Sequence, residues 1–203
     1  KTWYLEYTFP CRVCMDEYRG DNTIPNYALS YSDGIQLSTY DGAGNNIDFV
    51  FPLGAQYDDT GAFATRVAYT RDAGETWQYS ETEITYPASG HEGGCSEAWI
   101  IEREDGVLLL HVRCQDMSSY HFKAAYSYDH GVTWTNEHIF SNYYAVNGQA
   151  FIRKMNNAGE DTVIAAWGGN NSLGSAAYHR NPFVFAAASN DGETFRNIQN
   201  IYF

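Results

Sequence analysis

Three segments of the chain repeat one short pattern: Thr70-Arg71-Asp72-Ala73-Gly74-Glu75-Thr76-Trp77, Ser127-Tyr128-Asp129-His130-Gly131-Val132-Thr133-Trp134, and the shorter Ser189-Asn190-Asp191-Gly192-Glu193-Thr194-Phe195. Their first residues, 70, 127 and 189, stand 57 and then 62 positions apart. A unit of this length cannot bury its own apolar face and has to stack on its neighbours. The expected fold is therefore all-β, a run of β-propeller blades. Seventeen Tyr, eleven Phe and five Trp agree, since aromatic side chains favour strands.

Each copy reads as a turn between strands. The Asp accepts hydrogen bonds from nearby amides, the Gly takes a positive φ, and the Trp packs beneath. Strands are expected just ahead of the copies, over 62–69, 120–126 and 182–188. A calcium loop does not fit, because Asp72 to Thr76 lacks the further acidic positions and the closing Glu. Ser30 to Gly34 is either a degenerate fourth copy or a plain turn. Lys1-Thr2-Trp3 reads as the tail of another copy, so about three and a half units and a piece of a longer protein are expected, given roughly four to eight blades in closed propellers. Residues 18–60 show no clean period and are expected to form a long excursion between blades.

The net charge of −13 disfavours nucleic acid and anionic membrane surfaces as partners. An anionic ligand would need a local cluster of Arg. No apolar run approaches a membrane span and the first residues lack the shape of a signal peptide, so a soluble chain without membrane insertion is expected. Cys11 and Cys14 have the spacing of half a zinc site. Cys95 and Cys114 supply no second close pair, and the six His show no ligand spacing, so no metal or cofactor is expected and the four cysteines read as ordinary buried or bridged ones. The sequence also has no phosphate-binding glycine loop and no Gly-x-Ser-x-Gly elbow.

Chemistry concentrates between the first two copies. From Gly94 to Arg113, two apolar runs flank Asp105-Gly106, the signature of a hairpin. With Glu104, Asp105 and Gly106 as the loop and Gly106 left-handed, Glu97 falls opposite Arg113. The residues alone leave two readings open, a structural cross-strand ion pair or a buried functional pair.

This hairpin resembles the central motif of the exo-sialidases, G-C-N-E-x-x-V-V-E-L-x-D-G-x-L-L-x-N-x-R, in Gly94-Cys95-Ser96-Glu97, Ile100-Ile101-Glu102, Asp105-Gly106 and Arg113. The resemblance implies a six-bladed propeller and a retaining exo-α-sialidase acting on terminal sialic acid of glycoconjugates. It makes Glu97 the base to a Tyr nucleophile, and Arg113 and Arg180 the second and third arginines of a carboxylate-binding triad. Arg180 precedes the strand that leads to the third copy, though a plain loop cation beside His179 stays open. Asn147-Gly148-Gln149 is similar to the segment lining the glycerol side-chain pocket, which points to Gln149. The Tyr nucleophile, the first triad Arg and the Asp acid/base are expected outside the chain, and Tyr202 lies too close to Arg180 to serve. A sialylated glycan is the implied partner, with secretion or surface display as the location, and Asn170-Asn171-Ser172 would accept a glycan. Two alternatives remain: another glycosidase with the same repeats, such as an exo-arabinanase, or a non-catalytic carbohydrate-binding propeller.

Overall fold

The structure is a computed structural model that describes residues 25–29, 32–38, 49–57, 63–85, 94–115, 120–144, 150–157, 160–168, 183–188 and 192–201. All regular structure among them is strand. No helix among the described residues is long and apolar enough to cross a membrane.

The strands group into three units of four ladder positions. In the first unit, β1 (Pro25–Leu29) and β2 (Ile35–Gln36) share one position, pairing with the two ends of β3 (Phe49–Tyr57). Then come β4 (Phe63–Thr70) and the short β5 (Gln78–Tyr79). The second is an antiparallel meander of β6 (Gly94–Glu102), β7 (Leu108–Gln115), β8 (Tyr120–Ser127) and β9 (Thr135–Tyr144). The third repeats it with β10 (Ala150–Asn157), β11 (Glu160–Gly168), β12 (Phe183–Ala188) and β13 (Phe195–Ile201). In every unit the repeated pattern lies between the third and fourth positions. The strands expected ahead of the copies are β4, β8 and β12.

Residues 18–60 depart from the expectation of an excursion, because β1, β2 and β3 all fall within them. Pro52 disguises β3, since proline cannot donate to a ladder. Opposite it, Val67 bonds in the other direction, to Ser80: the Ser80 amide donates to the Val67 carbonyl at 2.7 Å and the Val67 amide to Ser80 Oγ at 3.1 Å. Pro52 therefore occupies a non-bonded pair with β4, and its other side faces the gap between the partners β1 and β2.

Strand β7 explains how the units stack. Leu108, Leu110, Val112 and Cys114 join a core against the first unit with Val50, Val67 and Trp134, while Leu109 joins one against the third with Ile152, Val163 and Trp167. The run is apolar on both faces because both are covered. Each of the three leucines has no exposed surface, and each contributes roughly 1.5–3 kcal/mol of burial.

The first two copies share one bonding scheme. In the first, Asp72 Oδ1 accepts from the Thr76 amide at 2.8 Å and from Thr70 Oγ1 at 2.7 Å, and Thr70 Oγ1 accepts from the Gly74 amide at 2.9 Å. In the second, Asp129 Oδ1 accepts from the Thr133 amide and Ser127 Oγ, each at 2.8 Å, and Ser127 Oγ accepts from the Gly131 amide at 2.7 Å. Positive φ extends one residue further than expected, to Ala73 (56°) and His130 (61°). Ser189, Asn190 and Asp191 of the third copy lie outside the described residues, as do Lys1 to Trp3.

The second and third turns also bond to the preceding unit. The Trp134 amide donates to Thr82 Oγ1 at 3.1 Å, and the Glu81 amide donates to the Val132 carbonyl at 2.8 Å. Arg103 Nη1 donates to Glu193 Oε1 at 3.1 Å, tying the third copy to the second unit.

Candidate functional site

The β6–β7 turn forms as its sequence requires. The Arg103 amide donates to the Val107 carbonyl at 2.9 Å, the Gly106 amide to the Arg103 carbonyl at 3.0 Å, and Gly106 takes φ 78°. From the turn, Glu102 pairs with Leu108 and the ladder runs in step to Ala98 opposite Val112.

There the expected register fails. Ser96, not Glu97, lies opposite Arg113, followed by Cys95 opposite Cys114 and Gly94 opposite Gln115. Glu97 is an extra residue in a β-bulge, with φ 55°. For a residue with a side chain that conformation costs roughly 1–2 kcal/mol. Beside the bulge, Cys95 and Cys114 lie directly opposite each other and form a disulfide. Core packing carries the same signature. Cys95, Ala98 and Ile100 share one cluster, a step of three and then two, where a plain strand would step by two throughout.

The bulge still brings the expected groups together. Arg113 Nε donates to Glu97 Oε2, and Nη2 reaches Ser96 Oγ at 3.4 Å. The side chains are 8% and 18% exposed, and on β8 Arg113 is opposed by the buried Phe122. A charge pair this sheltered is costly to desolvate, and removing either partner leaves the other charge uncompensated. Ser96 went unrecognised in the sequence as a partner of Arg113. The signal was present in the spacing of Cys95 and Cys114, one residue out of step with the turn.

Gly94 anchors the strand. It makes a parallel pair between the first two units, with Phe63, at φ 124°. A Cβ there would lie 1.9 Å from the Phe63 carbonyl oxygen, so only glycine fits.

Glu97 and Arg113 sit at the end of the second unit opposite its repeated turn, since Ser127 pairs with Leu108 beside the hairpin turn and Tyr120 with Gln115. Tyr126 belongs to the turn end, opposite Leu109. Its phenol is pushed well above the usual range by burial and then by the carboxylate of Glu193. His111, fully buried and stacked on Phe140 at 4.8 Å, is pushed down to about 3 by burial and stays neutral. Among the described residues no group of three or more His, Cys, Asp or Glu could hold a metal. Gln149, Arg180 and Tyr202 lie outside the described residues, as do Cys11, Cys14 and Asn170 to Ser172.

A separate cavity of about 380 Å³ opens along the first positions β2, β6 and β10, lined by Asp33, Trp99, Glu102 and Arg153 among others. Glu102 is held there by Ser38, whose amide and hydroxyl each donate at 2.8 Å, and Arg153 pairs with Asp33 at 2.9 Å.

Antiparallel units of four ladder positions, each with the repeated pattern between the third and fourth, form a partial β-propeller. Residues 3–168 match the BNR repeat-like domain family, and the chain belongs to it. No curated protein matches. Among solved structures, a Trypanosoma rangeli sialidase in complex with 2,3-difluorosialic acid superposes with TM-score 0.62 at 17% identity, over 90% of this chain and 27% of its own. The intramolecular trans-sialidase from Ruminococcus gnavus gives 0.58 at 17% identity, over 89% of this chain and 36% of its own. A T. rangeli sialidase mutant displaying trans-sialidase activity gives 0.63 at 17% identity, over 89% and 26%. The chain thus spans about a quarter to a third of these proteins, and the likeness is one of fold.

Proposed function

We propose that the chain forms part of a retaining exo-α-sialidase that hydrolyses terminal sialic acid from glycoconjugates. The observation that carries this reading is the Glu97–Arg113 pair, sheltered from solvent and built on a bulge with a left-handed Glu. Strained backbone of this kind persists where the surroundings hold it, and it clusters at active sites.

In this reading Glu97 accepts the proton of a Tyr nucleophile as the Tyr oxygen bonds to the anomeric carbon and the bond to the aglycone oxygen breaks, the departing oxygen taking a proton from the Asp acid/base. A phenol near pKa 10 needs such a base at neutral pH, and a neutral nucleophile avoids driving a carboxylate toward an anionic centre. Arg113, its plane fixed by Glu97 through Nε, joins Arg180 in holding the sugar carboxylate, for which a guanidinium fork suits better than a Lys point charge. The arginines give an acidic protein a local positive pocket. Gln149 is assigned to the glycerol side chain. The Cys95–Cys114 bridge fits a secreted or cell-surface location, where disulfides persist.

The test is release of sialic acid from sialyllactose by the protein that carries this chain. Glu97→Gln and Arg113→Ala should each lower turnover by about 10²-fold or more. Unchanged turnover overturns the reading. Sialoside binding without turnover would select a carbohydrate-binding propeller, and turnover of a neutral arabinan in its place would select an exo-arabinanase.

A further inference from the structure

We infer that the Cys95–Cys114 disulfide is the positioning element of this site: it selects the bulged register that turns both Ser96 and Glu97 toward Arg113. The inference rests on the proposed roles of Glu97 and Arg113.

Two registers compete at this end of the hairpin. Continued without a bulge, the ladder set by the β6–β7 turn would place Glu97 opposite Arg113, Ser96 opposite Cys114 and Cys95 opposite Gln115. A one-residue slip exchanges the faces of a strand. Ser96 would turn into the core now filled by Cys95, and Cys95 would turn toward Arg113. The observed register keeps Cys95 and Cys114 wholly buried beside Ala98 and Val112, and leaves Ser96 and Glu97 together on the guanidinium.

Only the second register permits the disulfide, because its partners must be directly opposed. The bond lies two residues from Glu97 on β6 and one residue from Arg113 on β7. Beyond the bulge the ladder has just three pairs, those of Gly94, Cys95 and Ser96, before the described strand ends. The covalent link falls on the middle one. Gly94, jammed against Phe63, limits sliding on the far side. The bulge is held between a bonded pair and the turn-set ladder.

Reduction by a dithiol passes two electrons and two protons to the sulfurs, giving two thiols, while the dithiol closes to its own disulfide. The register then loses its covalent constraint, and Glu97 relaxes toward extended backbone.

The experiment compares the oxidised chain, the folded chain reduced with dithiothreitol, and the packed variant Cys95→Val/Cys114→Ala. Two readouts are followed: the Glu97 Cα and Cβ chemical shifts, which report left-handed or extended backbone, and the Arg113 Nε–H resonance, assigned by its loss in Arg113→Lys. Expected are Glu97 shifts in the left-handed range only with the disulfide present, and a displaced Arg113 signal without it. In the protein carrying the chain, kcat for a sialoside should fall about tenfold or more with KM little changed. A lower melting temperature with Glu97 shifts, Arg113 signal and kcat all unchanged would overturn the inference, leaving the bond a staple only. If the oxidised protein neither binds nor turns over a sialoside, the proposed function falls, and the two resonances alone decide the register.

Discussion

Arg113 bonds Glu97 although the ladder places Ser96, not Glu97, directly opposite it. A sheltered ion pair made through a bulge is tied to the backbone around it, so its energy is unlike that of the surface pair Arg153–Asp33, whose side chains are 54% and 75% exposed. In double-mutant cycles read by urea unfolding, Glu97→Ala with Arg113→Ala should show a coupling above about 1 kcal/mol, and Arg153→Ala with Asp33→Ala about 0–1 kcal/mol. Equal couplings would mean that shelter plays no part.

Gly94 and Gly74 both hold positive φ, yet they should respond differently to alanine. At Gly94 the new methyl meets the Phe63 backbone. At Gly74 its nearest neighbour is Trp77 at 3.7 Å, an ordinary contact, so only the backbone conformation is penalised. Gly74→Ala is expected to cost about 1–2 kcal/mol and Gly94→Ala clearly more, as read by thermal melts.

Acid should weaken the fold in two windows. His111 has a folded pKa of about 3 against an ordinary 6.5, so between these values the unfolded chain binds the extra proton. Stability is therefore full above about pH 6.5 and falls as the pH drops toward 3. Asp72 is held below its ordinary value by the Thr76 hydroxyl and amide. At Asp129 burial opposes, but the bonds from Thr133 prevail. Their contribution is present above about pH 4 and is lost as the pH falls through their lowered values. Urea midpoints from pH 7 to 4.5 should slope in the native chain and flatten in His111→Phe; an identical slope would remove His111 as the cause.

Asp129→Ala deletes the acceptor for the Thr133 amide, the Thr133 hydroxyl and the Ser127 hydroxyl. The turn is also docked on Thr82 through the Trp134 amide, so its loss should loosen the junction of the first two units as well as the turn. A destabilisation of roughly 2–4 kcal/mol is expected, with faster amide exchange at Trp134 and Glu81. Exchange confined to residues 127–134 would argue against the docking role.

The turns, the hairpin and the Glu97–Arg113 contact were legible because each rests on local chemistry: Asp and Gly at set offsets, or a turn that counts residues. Two features were hidden. Strand β3 carries Pro52, tolerated only because its neighbours β1 and β2 leave a gap, a fact of tertiary pairing. The bulge depends on a bond between residues 19 apart, which overrides the register dictated by the turn. Ala73 and His130 at positive φ were missed for a related reason. The Asp-centred hydrogen bonds hold a non-glycine residue where propensity alone would not place it.

The bonds from Trp134 to Thr82, from Glu81 to Val132 and from Arg103 to Glu193 all run between one unit's repeated turn and the unit before it. The array therefore has a direction. Trimming from the C-terminal side removes a unit together with its own fasteners, whereas trimming from the N-terminal side strips the surface on which the next turn is seated. Growth of such a chain from its N-terminus, as in synthesis, presents the second and third turns with a finished dock.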